Sequence, residues 1–186
     1  MRKTLGRTGG PVTEGAPYSG RRDARFVTVR RGGTLDDDTH RLLAIWSTDC
    51  AARVLELFEC DHPGDDRPRA AIEHAYAWAR GEITMTQARE AAYAAHDAAK
   101  EATGAAREAA RAAGHAVATA HMADHELGGA AYAIRAVRAA ATPVERDEAG
   151  RAECRWQRSH LPEAIRELVL DDMRLRNKKL WSLFEC

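Results

Sequence analysis

The chain has 186 residues, 45% of them hydrophobic, which suits one globular domain with its own core. Lys and Arg total 28 and Asp and Glu total 28, so the formal net charge is +0 and no global field favours nucleic acid or an anionic membrane as a partner. No apolar run approaches the roughly 20 residues needed to span a bilayer.

Residues 1–24 are rich in Gly, Pro, Thr and charge, and read as a flexible basic tail. Arg2, Lys3, Arg7, Arg21 and Arg22 crowd it, and Arg25, Arg30 and Arg31 follow, opposed only by Glu14 and Asp23. Such an arm can touch phosphates or stay a solvated tail. Residues 25–186 read as a single helical domain. In "RFVTVRRGG", Phe26, Val27 and Val29 suit a short extended strand that Gly32 and Gly33 end.

Helical patterns then take over. Asp36, Asp37, Asp38 and Thr39 can cap a first helix and favour the positive end of its dipole. Leu42, Leu43, Trp46, Cys50, Val54, Leu57 and Phe58 recur at three and four, which makes one apolar stripe. "DHPGDDRP" is a turn, with Asp65 or Asp66 as a cap and Pro68 in the next first turn. The second helix buries Ile72, Ala75, Tyr76 and Ala79 and stops at Gly81. Thr84 and Gln87 have capping-box spacing for a third helix, which fades at Gly104. A fourth runs from about Ala105 to His121. Asp124 caps a fifth, which turns Leu127, Ala131, Ile134 and Val137 inward. After Thr142-Pro143 comes a helix with Trp156, and after Leu161-Pro162 a last one with Ile165, Leu168 and Val169. The terminal "LWSLFEC" is apolar enough to pack back on the bundle. Alanine saturates the middle of the chain. It is the best helix former and lets helices approach closely. The fold expected is an all-α, compact, alanine-rich multi-helix bundle with a short N-terminal extended segment.

Cys50, Cys60, Cys154 and Cys186 form no C-x-x-C pair, and no apolar segment follows the N-terminal charges as in a secretory signal. The expectation is a cytoplasmic protein with reduced thiols.

The candidates for chemistry are histidines. His121 and His125 stand four apart in "ATAHMADHELGGAAYA" and can share a helix face. A zinc protease needs H-E-x-x-H, which is absent, and two imidazoles without a third ligand assign no metal. They read either as a helix junction or as a polar pocket that binds a small molecule or moves protons near neutral pH. His96 borders the alanine face of the third helix, where it points into an interhelical cavity or lies half-exposed near Lys100. Asp49 borders the stripe of the first helix, and either pairs with Arg53 or orients an imidazole across the bundle. Trp46, Trp78 and Trp156 are core anchors or pocket walls, and Tyr76, Tyr93 and Tyr132 share that ambiguity. GxxxxGK[ST], GxGxxG after a strand, and GxSxG do not occur, so no cofactor is assigned.

Four blocks carry a resemblance: "VRRGGTLDDDTHRLLAIWSTDCAARVLELFE", "DDRPRAAIEHAYAWARGE", "AAGHAVATAHMADHELGGAAYA" and "WQRSHLPEAIRELVLDDMRLRN". Together they resemble a bacterial family of small helical immunity proteins, the one likened to the fifth numbered toxin-immunity class. The resemblance covers most of Arg25 to Trp181. It implies a protein that neutralises a toxin or another bioactive molecule. It also singles out Asp49, Arg67, His96, His121 and His125, with Trp78 and Trp156. Relatives are sometimes labelled an exonuclease of the SbcC kind; such an ATPase needs a P-loop, and none is present here. The partners left open are a toxin protein, a small molecule held in a His/Asp pocket between helices, and a second copy of the chain meeting it through alanine faces. Whether a reaction is catalysed stays open as well.

Overall fold

A computed structural model describes residues 22–186. The reading of residues 1–24 as a flexible tail falls almost wholly outside them. Among the described residues eight α-helices follow in order: α1 Asp37–Ala52, α2 Glu56–Glu59, α3 Arg67–Ala79, α4 Met85–Glu101, α5 Gly104–Ala118, α6 Glu126–Ala140, α7 Arg146–Ser159 and α8 Glu163–Arg176.

The helix starts are written locally. The Asp36 carboxylate accepts from the Thr39 amide at 2.8 Å and closes the start of α1. Thr84 and Gln87 form the reciprocal capping box at α4. Pro68 sits in the first turn of α3, and Gly81, at φ 77°, ends that helix in the left-handed conformation glycine tolerates best.

Helix α5 lies at the centre. It packs on α4 and α6 and also meets α1, α2 and α3. Its Ala106, Ala109, Ala110, Ala112, Ala113 and Ala116 are fully buried. With only a methyl group at each, backbones come close, and dispersion across many short contacts does what larger side chains do elsewhere. The larger apolar residues sit around this axis: Leu43, Trp46, Phe58, Leu127, Ile134, Ile165 and Val169 are all buried. The Trp46 indole N–H donates to the Gln157 carbonyl at 3.0 Å, which joins α1 to α7.

Three sequence expectations need correction. Residues 26–29 are not a strand. Two 3-10 turns, Ala24–Phe26 and Val29–Arg31, replace it, with a single parallel bridge between Thr28 and Leu35. Phe26, Val27 and Leu35 are buried on the helices, so the apolar spacing was met by packing rather than by strand pairing. The first helix breaks after Ala52, and its apolar stripe continues through a turn into α2. The thiols are not all free: Cys154 of α7 is bonded to Cys186, while Cys50 is buried and free and Cys60 exposed and free. The terminal segment does pack back, with Phe184 buried and its amide bonded to the Asn177 side chain at 3.0 Å. No helix of the described residues is long and apolar enough to cross a membrane.

Candidate functional site

The turn between α5 and α6 carries His121 and His125, with a 3-10 turn over Ala123–His125. Asp124, expected to cap α6, instead takes Arg22 in a two-pronged ion pair at 2.7 and 3.1 Å. Arg176 of α8 pins the same turn from below. Its guanidinium donates to the Asp124 carbonyl at 2.8 Å, to Glu126 at 2.8 Å and to Asp172. Glu126 is fully buried, and burial pushes its carboxyl well above the ordinary carboxylate range against the pull of Arg176.

Pinned in this way, the turn starts a row of four imidazoles. His121 stands 5.6 Å from His125, ring centre to ring centre. The Nδ1 atoms of His125 and His115 are 3.1 Å apart, so one ring donates to the lone pair of the other. His115 meets the edge of His96 at 5.0 Å and stacks on Tyr132 at 5.0 Å. Tyr132 in turn meets Trp181 at 5.5 Å, and Arg111 donates to its hydroxyl at 3.3 Å. Two glycines make room for the row. A Cβ on Gly114 would lie 2.6 Å from the His96 ring, and one on Gly128 would lie 2.7 Å from the His115 ring. The rings therefore occupy space that any other residue would fill.

Burial dominates their electrostatics. It holds His115 down to about 3, aided by His96, His125 and Arg111. It holds His125 down to about 4, with Asp124 opposing. Burial lowers His96 too, aided by Arg111, and His121, aided by Arg89, Arg22 and Arg31. All four are neutral at pH 7.

His121 also lines a cavity of about 340 Å³ beneath the N-terminal turns. Arg22, Arg30, Arg31, Phe26, His40 and Trp78 share its wall. His40 is fixed there, its Nε2 2.6 Å from the Thr119 carbonyl and its ring 4.8 Å from the edge of Trp78. The Nδ1 of His121 is sealed from solvent and has no hydrogen-bond partner.

Among the residues singled out from sequence, His96, His121, His125 and Tyr132 fall in one row, and Trp78 shares the cavity with His121. The structure ties the others elsewhere. Asp49 accepts from the Tyr76 hydroxyl at 2.6 Å, joining α1 to α3, and Arg53 pairs with Glu153 instead of Asp49. Burial, with Asp49 assisting, raises the Tyr76 phenol. Arg67 bridges Asp65 and Glu101, each at 2.6 Å, and fastens the start of α3 to the end of α4. Trp156 lies between His160, at 4.1 Å, and the Arg53 guanidinium, at 4.0 Å. Sequence reading missed His115 and His40. For His115 a signal existed in Gly128: a glycine inside an alanine-rich helix leaves room for a ring from a neighbouring helix. Among the described residues no group of three or more His, Cys, Asp or Glu side chains is placed to hold a metal ion.

Residues 33–164 match the model of a family described as Imm-5 like putative immunity protein, over more than half of the chain. Comparison with curated proteins and with solved structures gives no match.

Proposed function

We propose, from the premise that the chain belongs to the Imm-5 like putative immunity protein family, that it neutralises a protein toxin by binding it stoichiometrically. One observation in the fold supports this reading, the surface around Trp181. That indole is 49% exposed and stands in the left-handed region at φ 58°, which is costly for a bulky side chain. The Arg135 guanidinium covers one face at 4.3 Å. Arg107, Arg138 and Arg146 line the same depression of about 460 Å³. Its carboxylate, Glu108, is buried under Arg135, so the outward charge is positive. Tryptophan and arginine together dominate the residues that carry binding energy at protein interfaces. A partner suited to this surface presents an acidic face, over roughly 800 Å² per side.

The test is co-purification from host lysate with the tagged full chain and a Trp181→Ala variant. The captured protein is then expressed alone and together with the chain. The expected result is growth arrest alone, relief on co-expression, and loss of relief with Trp181→Ala. A captured protein that is harmless, or relief that survives Trp181→Ala and Arg135→Ala together, removes the proposal.

A second reading is favoured by the cavity at His121: the chain binds a small molecule there. Its volume falls at the lower end of ligand pockets, and its wall mixes aromatic and charged groups. An orienting carboxylate from Asp49 has no part in it, because that group is engaged by Tyr76.

A further inference from the structure

The run Arg30-Arg31-Gly32-Gly33 folds back at Gly32, whose φ of 82° turns the chain after two adjacent arginines. Arg30 and Arg31 of this turn line the same cavity as His121 and Trp78. We infer that this cavity is a binding site for a phosphate monoester carried on a planar ring, of nucleotide size or smaller. The inference rests on the second reading above, that the cavity takes a small molecule.

Charge supplies the first support. Arg22, Arg30 and Arg31 line the cavity, and Arg89 acts on His121 beside it. The carboxylates nearby are Asp37, paired with Arg30, and Asp124, paired with Arg22. Among the described residues three guanidinium groups line the cavity and two of them pair with these carboxylates, which leaves Arg31 to meet an anion such as a phosphate. The Arg30–Asp37 pair is exposed, with side chains 81% and 52% accessible. Such a pair is worth little in water and re-partners readily. Among the described residues Arg31 and Arg89 have no carboxylate partner. Guanidinium forks approaching one volume from separate positions suit an oxyanion with three free oxygens better than a carboxylate with two.

The imidazole supplies the second support. The Nδ1 of His121 is sealed without a partner, so it costs least as a bare lone pair, since orphaned N–H groups are the rarer and dearer case. The proton then sits on Nε2, the nitrogen left to meet a ligand, and that N–H is a donor to an oxyanion. The walls supply the third. Phe26, Met85, Met122 and the half-buried Trp78 are apolar surfaces on the same cavity. They leave a place for a flat apolar body next to the charged end.

Isothermal titration of the full chain tests this with three probes: adenosine 5′-monophosphate, adenosine and inorganic phosphate. The expected result is one-to-one binding of the monophosphate with Kd below about 1 mM. Adenosine and phosphate each bind at least about tenfold more weakly, the loss of one charge-assisted contact or of the stacked ring. Arg31→Ala and His121→Ala each weaken the monophosphate about tenfold. Arg31 is exposed, so that variant keeps the fold, and its unchanged circular dichroism and Tm verify this. Adenosine binding as tightly as its monophosphate overturns the phosphate inference while the small-molecule reading stands. Inorganic phosphate binding as tightly overturns the ring. Monophosphate binding untouched by Arg31→Ala and His121→Ala overturns the location. Absence of heat with all three probes at millimolar concentration overturns this inference.

Discussion

Arg176→Met removes the cation that holds the α5–α6 turn. The native guanidinium sits between Glu126 and Asp172, whose side chains are 0% and 5% exposed, and also holds the Asp124 carbonyl. Methionine keeps most of the volume but leaves two buried acids without their counter-charge. Breaking a buried pair from one side costs about 3–5 kcal/mol, because the surviving charge stays out of water. For a chain of this size about 2–4 °C of Tm accompanies each kcal/mol, so a fall of roughly 6–20 °C is expected. Urea denaturation at pH 7 gives the free energy directly. The sign with pH follows from Glu126. Its carboxyl titrates higher in the folded chain than in the unfolded one, and more so without Arg176. Just above pH 4.5 both folded forms keep that proton and lose stability alike, so the deficit of the Met variant widens only above the raised value that Glu126 has beside Arg176, and shrinks toward acid. Adding Glu126→Gln replaces the stranded acid with a neutral amide and returns at least about 1 kcal/mol at pH 7. A cost of under about 1 kcal/mol for Arg176→Met, or a further loss on adding Glu126→Gln, refutes the reasoning.

Gly114→Ala places a methyl 2.6–3.0 Å from three atoms of the His96 ring and costs about 1–3 kcal/mol by overpacking. Gly64→Ala, where nothing lies within 4 Å, is the matched control and leaves Tm within a degree or two, about 0.5 kcal/mol. The His115 and His125 rings, held down to about 3 and 4, give no NMR titration between pH 8 and about 5. Their unfolded counterparts take up protons near 6.5, so these rings make the fold lose stability as pH falls through 6.5 toward 4. A midpoint near 6.5 for either ring contradicts their burial. The Cys154–Cys186 bond closes a separation of 32 residues, so Cys186→Ser lowers stability by roughly 3–4 kcal/mol on loop-closure grounds. The denatured, unreduced chain shows two reactive thiols, from Cys50 and Cys60, and four after reduction. Four without reduction counts against the bond.

How much of this was legible in the chain depended on range. The Asp36 cap, the Thr84–Gln87 box, Pro68 at the start of α3 and Gly81 at its end are signals spent within one turn of backbone, and each reads directly from spacing. The alternation of Phe26, Val27 and Val29 misled, because two neighbouring 3-10 turns can bury the same apolar residues on a helical surface without a strand partner. His121 and His125 were visible as a pair four apart, yet their neighbours were not. His115 reaches His125 across the turn, and His96 comes from another helix, through gaps that Gly114 and Gly128 leave.

The sequence by itself determined the all-α bundle, the places where most helices begin and end, and the alanine core that brings them close. These follow from periodicity and from backbone preferences that act within a few residues. Tertiary structure alone decided that Asp49 serves Tyr76 rather than an imidazole, that Arg22 and Arg176 grip the turn at Asp124, and that Cys186 returns to Cys154. Those pairings join residues between 27 and 102 positions apart. Which partner wins at such distances depends on how every helix packs at once, and no local pattern carries that information.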